Sequence, residues 1–92
     1  MAPRAIATPQ PRYTAEAMRA RIQGTVRMRC VVDTDGRTRD CTVIQSLDPV
    51  NGLDEEALQS ASQWRFLPGT MGGKPVKVAI IIELAFNLRD RK

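Results

Sequence analysis

Hydrophobic residues near the carboxy terminus of this 92-residue chain recur at every second position. The apolar positions are Val76, Val78, Ile80, Ile82, Leu84, Phe86 and Leu88, and those between them are Lys77, Ala79, Ile81, Glu83, Ala85 and Asn87. Because successive side chains of a β-strand point to opposite faces, this alternation predicts one long strand with a buried face. Such a strand needs other elements to cover its apolar side.

Two further strands are predicted upstream of it. From Thr25 the apolar residues again alternate, and they are Val26, Met28, Cys30 and Val32. The pair Asp35-Gly36 tolerates the positive φ angles of a short hairpin turn, so a second strand should return antiparallel over about residues 37–45. The amino half of the chain therefore contains a β-hairpin.

Two helices complete the predicted set of elements. Thr14 is a suitable N-cap for a helix over about 14–23, and Gly24 supplies a left-handed stop after it. A second helix begins near Asp54 and ends before Pro68-Gly69; its apolar face contains Ala57, Leu58, Ala61 and Trp64. The order α-β-β-α-β predicts an α+β fold, a three-stranded antiparallel sheet with two helices packed on one face.

The chain is long enough for one hydrophobic core only. Residues 1–12 are rich in proline and are expected to form an arm or linker, residues 13–89 the domain, and residues 90–92 a tail. No apolar run approaches the ~20 residues of a membrane-spanning helix, and the first residues lack the apolar core of a secretory signal. We therefore expect a domain excised from a longer parent chain.

The composition argues against catalysis and nucleic-acid binding. Histidine, the most common general base and metal ligand, is absent, so no catalytic residue, metal site or cofactor is assigned. The net charge of +4 is modest, and four aromatic residues give few stacking surfaces, so no nucleic-acid partner is expected. Arg27, Arg29 and Arg39 are predicted to share the solvent side of the hairpin, either as a solvated face or as a contact for an acidic partner.

Cys30 and Cys41 allow a covalent prediction. If Asp35-Gly36 forms a two-residue turn, residues whose numbers add to 71 lie opposite each other, and the two cysteines then face one another on the apolar side. We favour a disulfide at this position, because the number of cysteines is even; the alternative is a pair of buried free thiols. A three-residue turn would shift the register by one and place the sulfur atoms on opposite faces. Two thiolates without histidine are too few for a metal site.

Other polar and aromatic groups have structural interpretations. Asp33, Asp35 and Asp40 do not form a calcium loop, because the glycine comes too early and no bidentate glutamate follows. Glu55-Glu56 fits the first turn of a helix, and Gly72-Gly73 fits a turn rather than a phosphate loop. Trp64 and Phe66 are assigned to the core.

A set of ordered motifs resembles the TonB C-terminal family. These motifs are Tyr13, Gly24-Thr25-Val26, Asp35-Gly36-Arg37, Trp64-Arg65-Phe66-Leu67-Pro68 and Gly73-Lys74-Pro75-Val76. The resemblance extends from about Gln10 to Leu88, and its most specific part is the segment from Trp64 to Pro68. Thr14 departs from the pattern, because family members usually have proline after the tyrosine.

The resemblance implies a non-enzymatic periplasmic domain, tethered to the inner membrane and pulled by a proton-driven ExbB/ExbD-type motor. It implies that the TonB box of an outer-membrane TonB-dependent transporter adds as a strand along the last strand of the sheet. The implied contact residues are Gln10, Pro11 and Arg12 before the first helix and Val76, Lys77, Val78, Ala79, Ile80, Ile81, Ile82, Glu83, Leu84 and Ala85 in the last strand.

The residues themselves are compatible with a strand-accepting edge. A long, regular final strand offers unpaired backbone donors and acceptors to an extended peptide, while Lys77 and Glu83 oppose aggregation. The alternatives are a purely structural edge and edge-to-edge pairing of two chains. A structural or dimerisation module of a larger cell-envelope protein, which includes a homodimer, is thus the second hypothesis.

Overall fold

The computed structural model describes residues 1–88 and has the predicted α+β architecture. Its elements, in chain order, are β1 Arg4–Ala7, α1 Ala15–Arg19, β2 Gly24–Val32, β3 Thr38–Gln45, α2 Leu53–Ser62, β4 Arg65–Leu67, β5 Gly69–Met71, β6 Lys74–Val76 and β7 Val78–Phe86. The central antiparallel sheet has the strand order β3-β2-β7. No helix among residues 1–88 is long and apolar enough to cross a membrane.

Strands β2 and β7 form the regular part of the sheet. They pair over nine residues without a register shift, from Gly24 opposite Phe86 to Val32 opposite Val78. The alternating apolar side chains of both strands are buried, namely Val26, Met28, Cys30, Val32, Ile82, Leu84 and Phe86. The predicted alternation of both strands is confirmed, with Val78 and Ile80 at the start of β7 partly buried, and this face of the sheet forms the core with the helices.

Helix α1 starts where expected and ends earlier than expected. The Thr14 hydroxyl accepts a hydrogen bond from the Ala17 amide at 3.1 Å and donates one to the Asn51 carbonyl at 2.7 Å, so it also joins α1 to the loop before α2. The predicted end near residue 23 is wrong. Arg21 has a φ of 56°, and the Ile22 amide donates to the Ala17 carbonyl, so the helix closes with a Schellman motif at Arg21 rather than at Gly24.

Helix α2 is anchored by the loop before it. Its N-cap, Gly52, has no side chain to accept a hydrogen bond, whereas Asp54 in the first turn accepts from the Leu47 and Asp48 amides at 2.9 and 2.8 Å. The buried side of α2 contains Leu53, Ala57, Ser60 and Ala61. Its contacts are mainly with β3 and β2, so α2 covers the β3 side of the sheet.

The β2–β3 hairpin differs from the prediction at its turn. Asp33 and Arg37 are bonded through backbone groups, so the loop has three residues, with Gly36 at a φ of 84°. This turn alone would offset Cys30 and Cys41, but the register shifts back between Arg29 and Val31, and Asp40 has a φ of 54°. The two-residue turn was wrong, and the opposition of the cysteines holds because a bulge compensates for it.

Cys30 and Cys41 form the predicted disulfide, with Cα atoms 4.1 Å apart. Cys30 lies in the centre of the core, and Cys41 is partly buried beside it. The bond ties the edge strand β3 to β2 immediately beside the bulge. It therefore fixes the hairpin at the point where its register changes.

The proline-rich segment 1–12 contains a strand that the sequence did not indicate. Strand β1 pairs antiparallel with β4, and β4 in turn contacts the hairpin turn through the Phe66 amide and the Gly36 carbonyl, 2.9 Å apart. All four residues of β1 are exposed. The division into arm, domain and tail stays a prediction, and its last residues, 89–92, lie outside the described part of the chain.

The long final strand is interrupted once. Strands β5 and β6 form a hairpin around Gly72-Gly73, as expected of a turn, and Lys77 separates β6 from β7. The regular portion of the predicted strand is therefore β7. Leu88 follows it and packs against the core.

Candidate partner-binding edge

Strand β7 forms one border of the central sheet. Within residues 1–88 it pairs with β2 along one side and with no strand along the other. Its outward residues Ala79, Ile81, Glu83 and Ala85 are exposed, and Ile81 is 48% accessible. Because the opposite side chains are anchored in the core, the backbone of β7 is held in extended form with one row of polar groups unpaired.

Strand β3, the other border of the sheet, is irregular. Its pairing with β2 shifts register twice, once between Arg27 and Met28 and once between Arg29 and Val31. Bulges and charged side chains are the features that protect sheet edges from further strands. The central sheet therefore has one regular open edge, at β7, and one irregular edge, at β3.

Charged residues cover the solvent face of the sheet. Arg39 contacts Asp33 at 2.8 Å and Asp35 at 3.3 Å, and Arg27 contacts Glu83 of β7 at 3.2 Å. A backbone hydrogen bond from Thr34 lowers the pKa of Asp33 below its usual 3.8, desolvation opposes this, and Arg39 and Lys77 lower it further. The three arginines thus lie on the predicted side of the hairpin, and two of them are paired with carboxylates.

The predicted contact residues of the last strand fall into three groups. Val76 belongs to β6, Lys77 lies between the strands, and the residues from Val78 to Ala85 belong to β7. Ile82 and Leu84 are buried, so they present only their backbone groups at the edge. Val78 and Ile80 are partly buried.

Gln10, Pro11 and Arg12 lie elsewhere, beside α2. They line a cleft of about 160 Å³ together with Glu56, Gln59, Ser60 and Gln63, and no residue of β7 lines it. The structure therefore does not bring the two predicted contact segments together in one cleft.

The position of this segment depends on a contact that the sequence analysis missed. The Pro9 carbonyl accepts hydrogen bonds from the Ser60 hydroxyl at 2.5 Å and the Trp64 indole at 3.2 Å. A partly buried indole N–H needs an acceptor, which is the one sequence signal that could have suggested such a contact.

Within residues 1–88, no group of three or more histidine, cysteine, aspartate or glutamate residues is placed to hold a metal ion. The fold and the edge define a class: small α+β domains built on an antiparallel sheet with one regular, unpaired border strand.

The chain belongs to the TonB C-terminal family. The family described as Gram-negative bacterial TonB protein C-terminal matches residues 9–88, which include both helices and the whole central sheet. The resemblance seen in the sequence motifs is confirmed.

Proteins named TonB are among the relatives. The chain is 34% identical to protein TonB of Escherichia coli K12 over 86 residues, which are 94% of this chain and 34% of that protein. It is 39% identical to protein TonB of Klebsiella pneumoniae over 70 residues, 76% of this chain and 28% of that one. The chain thus spans about a third of the length of these curated relatives.

A solved structure has the same fold. The solution NMR structure of the Pseudomonas aeruginosa TonB CTD superimposes with a TM-score of 0.74 and 30% sequence identity. The match covers 98% of this chain and 90% of the other.

Proposed function

We propose that this domain binds an extended segment of a partner protein as an added strand at the free border of β7. The observation that carries the proposal is the contrast between the two borders of the sheet. Strand β7 keeps one register with β2 over nine residues, while β3 is bulged twice. An incoming strand needs a regular row of backbone donors and acceptors, and of the two borders of the central sheet only β7 offers one.

The binding energy in this mechanism comes chiefly from main-chain hydrogen bonds. Ile82, Leu84 and Phe86 hold β7 in the core, so the edge does not have to be ordered when the partner arrives. The exposed Ile81 provides an apolar contact for a side chain of the added strand. Pre-organisation of the edge thus supports binding of a flexible segment.

Membership of the TonB C-terminal family suggests the class of partner protein. We assign the incoming segment to the TonB box of an outer-membrane TonB-dependent transporter and the source of force to an ExbB/ExbD-type motor. In this role the domain works in the periplasm, on a tether to the inner membrane, and transmits energy without a catalytic residue or cofactor of its own. The cleft at Gln10, Pro11 and Arg12 offers a second, separate contact for the same transporter.

The test is a titration of the isotope-labelled domain with TonB-box-like peptides, following backbone amide shifts from Val76 to Ala85. The proposal expects shifts concentrated on that strand and their loss with a proline-substituted peptide, because proline removes a ladder donor. Amide shifts confined to β3, or a silent β7 in a folded domain, would contradict it.

Two exposed isoleucines provide a matched pair of variants. Ile81 on β7 and Ile44 on β3 are 48% and 51% accessible, and threonine at either position keeps a high strand propensity. Ile81→Thr should weaken peptide binding, whereas Ile44→Thr should leave it unchanged. Equal effects would indicate that the peptide does not use β7.

A structural or dimerisation module is the second candidate, because the same open border fits a second copy of the chain. Amide shifts along β7 that grow with protein concentration in the absence of peptide would favour it. Sedimentation equilibrium of the same samples distinguishes a dimer from larger aggregates.

A further inference from the structure

Residues of opposite charge lie at both ends of the solvent face shared by β2 and β7. At one end the Arg27 guanidinium contacts the Glu83 carboxylate at 3.2 Å, and these residues are direct cross-strand partners. At the other end, Val32 and Val78 are cross-strand partners, Asp33 comes directly after Val32, and Lys77 comes directly before Val78. The Asp33 carboxylate is also bound by Arg39 at 2.8 Å. The charge of Lys77 is close enough to lower the pKa of Asp33.

The border strand is therefore electrically polarised along its length. Lys77, Ala79, Ile81 and Glu83 are at every second position, so their side chains lie on the same, solvent-exposed face. The two charges are six positions apart, which is about 20 Å along a strand. The Glu83 side chain is still 58% accessible, so its pairing with Arg27 leaves it open to a neighbour on the other side.

Cross-strand pairs on one face of a sheet stabilise it when their charges are opposite and destabilise it when they are alike. The sign of charge already changes towards β7 at two levels: Arg27 beside Glu83 within the strands, and Asp33 next to Lys77 just beyond the Val32–Val78 pair. A strand added outside β7 continues this alternation when it places an acid beside Lys77 and a base beside Glu83.

We propose that the border of β7 selects an extended partner segment with an acidic and a basic residue six positions apart and an apolar residue between them, and that this charge order sets the direction of the added strand. The acidic end lies at Lys77 and the basic end at Glu83, with the apolar residue opposite Ile81. This specificity rests on the strand addition proposed above and adds to it which segments bind and in which direction.

A second copy of the chain is the competing occupant, since β7 itself carries both charges. An antiparallel pair that matches Lys77 with Glu83 of the other copy would be centred on Ile80. Its register would then bring Ala85 opposite Pro75, which has no N–H to donate. A separate segment can pair along all nine residues of β7, so the partner segment is the better occupant.

The experiment uses three extended peptides of equal length with the same apolar residues. One has glutamate before lysine, six positions apart; the second has lysine before glutamate; the third has glutamine at both positions. Each peptide carries a paramagnetic label at its amino terminus. In NMR spectra of the isotope-labelled domain, the amide signal that broadens, near Val78 or near Ala85, shows which end of β7 lies close to that terminus.

The proposal expects the two charged peptides to broaden opposite ends of β7, because each places its acid at Lys77. The neutral peptide should bind about 2- to 30-fold more weakly, the combined effect of two cross-strand pairs. In the double variant Lys77→Gln/Glu83→Gln, the two charged peptides should no longer differ in the direction in which they bind. Arg29→Gln, a charge change on the same face but on β2, is the matched control and should retain it.

The same direction for both charged peptides on the unmodified domain would overturn the charge selection and leave strand addition in place. Absence of broadening on β7 with all three peptides would overturn strand addition itself and this inference with it. Shifts of β7 that depend on protein concentration alone would assign the border to a second copy and would also overturn the inference.

Discussion

The ring of Tyr13 stands edge-on against the ring of Phe86, with centroids 5.4 Å apart and an interplanar angle of 85°. The tyrosine hydroxyl also donates a hydrogen bond to the Ile22 carbonyl, just after α1. One side chain thus joins the segment before α1, the end of α1 and the end of the border strand β7.

Tyr13→Ala should lower the free energy of unfolding by about 3–5 kcal/mol, as for other large buried rings. Tyr13→Phe keeps the ring and loses the hydrogen bond, so it should cost about 1 kcal/mol. Urea unfolding monitored by circular dichroism measures both. If Tyr13→Phe lowered the free energy of unfolding as much as Tyr13→Ala, the hydroxyl rather than the ring would account for the stabilisation.

Replacement of both Cys30 and Cys41 by alanine should destabilise the domain by about 2–3 kcal/mol, because the unfolded chain gains the freedom of a short loop. Reduction of the unmodified domain should produce a similar loss, and a reducing agent should leave the variant unaffected. Thermal unfolding with and without reductant compares the four samples. If the double variant unfolds at the same temperature as the oxidised, unmodified domain, the bond contributes nothing to its stability.

Gly36→Ala should be much more harmful than Gly72→Ala, although both glycines have positive φ angles. A β-carbon at Gly36 would lie 2.1 Å from the Phe66 carbonyl oxygen, whereas one at Gly72 meets nothing within 4 Å. Gly72→Ala should therefore cost only the left-handed conformation, about 1–2 kcal/mol. Chemical denaturation of the two variants is the measurement, and equal losses would argue against the contact between the hairpin turn and β4.

Asp54 should make stability depend on pH in the acidic range. Burial raises its pKa, but hydrogen bonds from the Asp48 amide, the Ser46 hydroxyl and the Leu47 amide together bring it below the usual 3.8. A carboxyl group with a lowered folded-state pKa stabilises the fold above its unfolded value, and this contribution is lost as the pH falls through the folded value.

Asp54→Ala should thus lose about 1–2 kcal/mol at neutral pH, the size of a few partly exposed bonds to a charged group. The difference between the variant and the unmodified domain should narrow below about pH 4, where the carboxyl of the unmodified domain protonates. Urea unfolding at a series of pH values tests this. A constant difference down to strongly acidic pH would remove Asp54 from the titrating groups.

Alternation in the sequence was sufficient to predict β2 and β7, since a strand with one buried face has apolar residues at every second position. The end of α1 was not predictable in the same way. Arg21 adopts a left-handed conformation that its residue type disfavours, because Ile22 gains a place against the core. The prediction relied on Gly24, the residue that local preference favours.

Only part of the candidate edge could be predicted from the sequence. The strand itself could be recognised, but its position at a border follows from the order β3-β2-β7, which is a property of tertiary packing. The place of Gln10 beside α2 depends likewise on the contact of Pro9 with Trp64, residues far apart in the chain. Contacts of this kind leave no local pattern to read.

The bulges of β3 affect how these domains associate at high concentration. Fibres of stacked sheets require two receptive borders on every molecule, one to add to and one to extend from. A sheet that is receptive at β7 and irregular at β3 can join at most one further copy through that border, and the resulting closed pair has only irregular borders left. The hairpin that carries the disulfide thus limits association through the central sheet to a pair of domains and prevents it from continuing into a polymer.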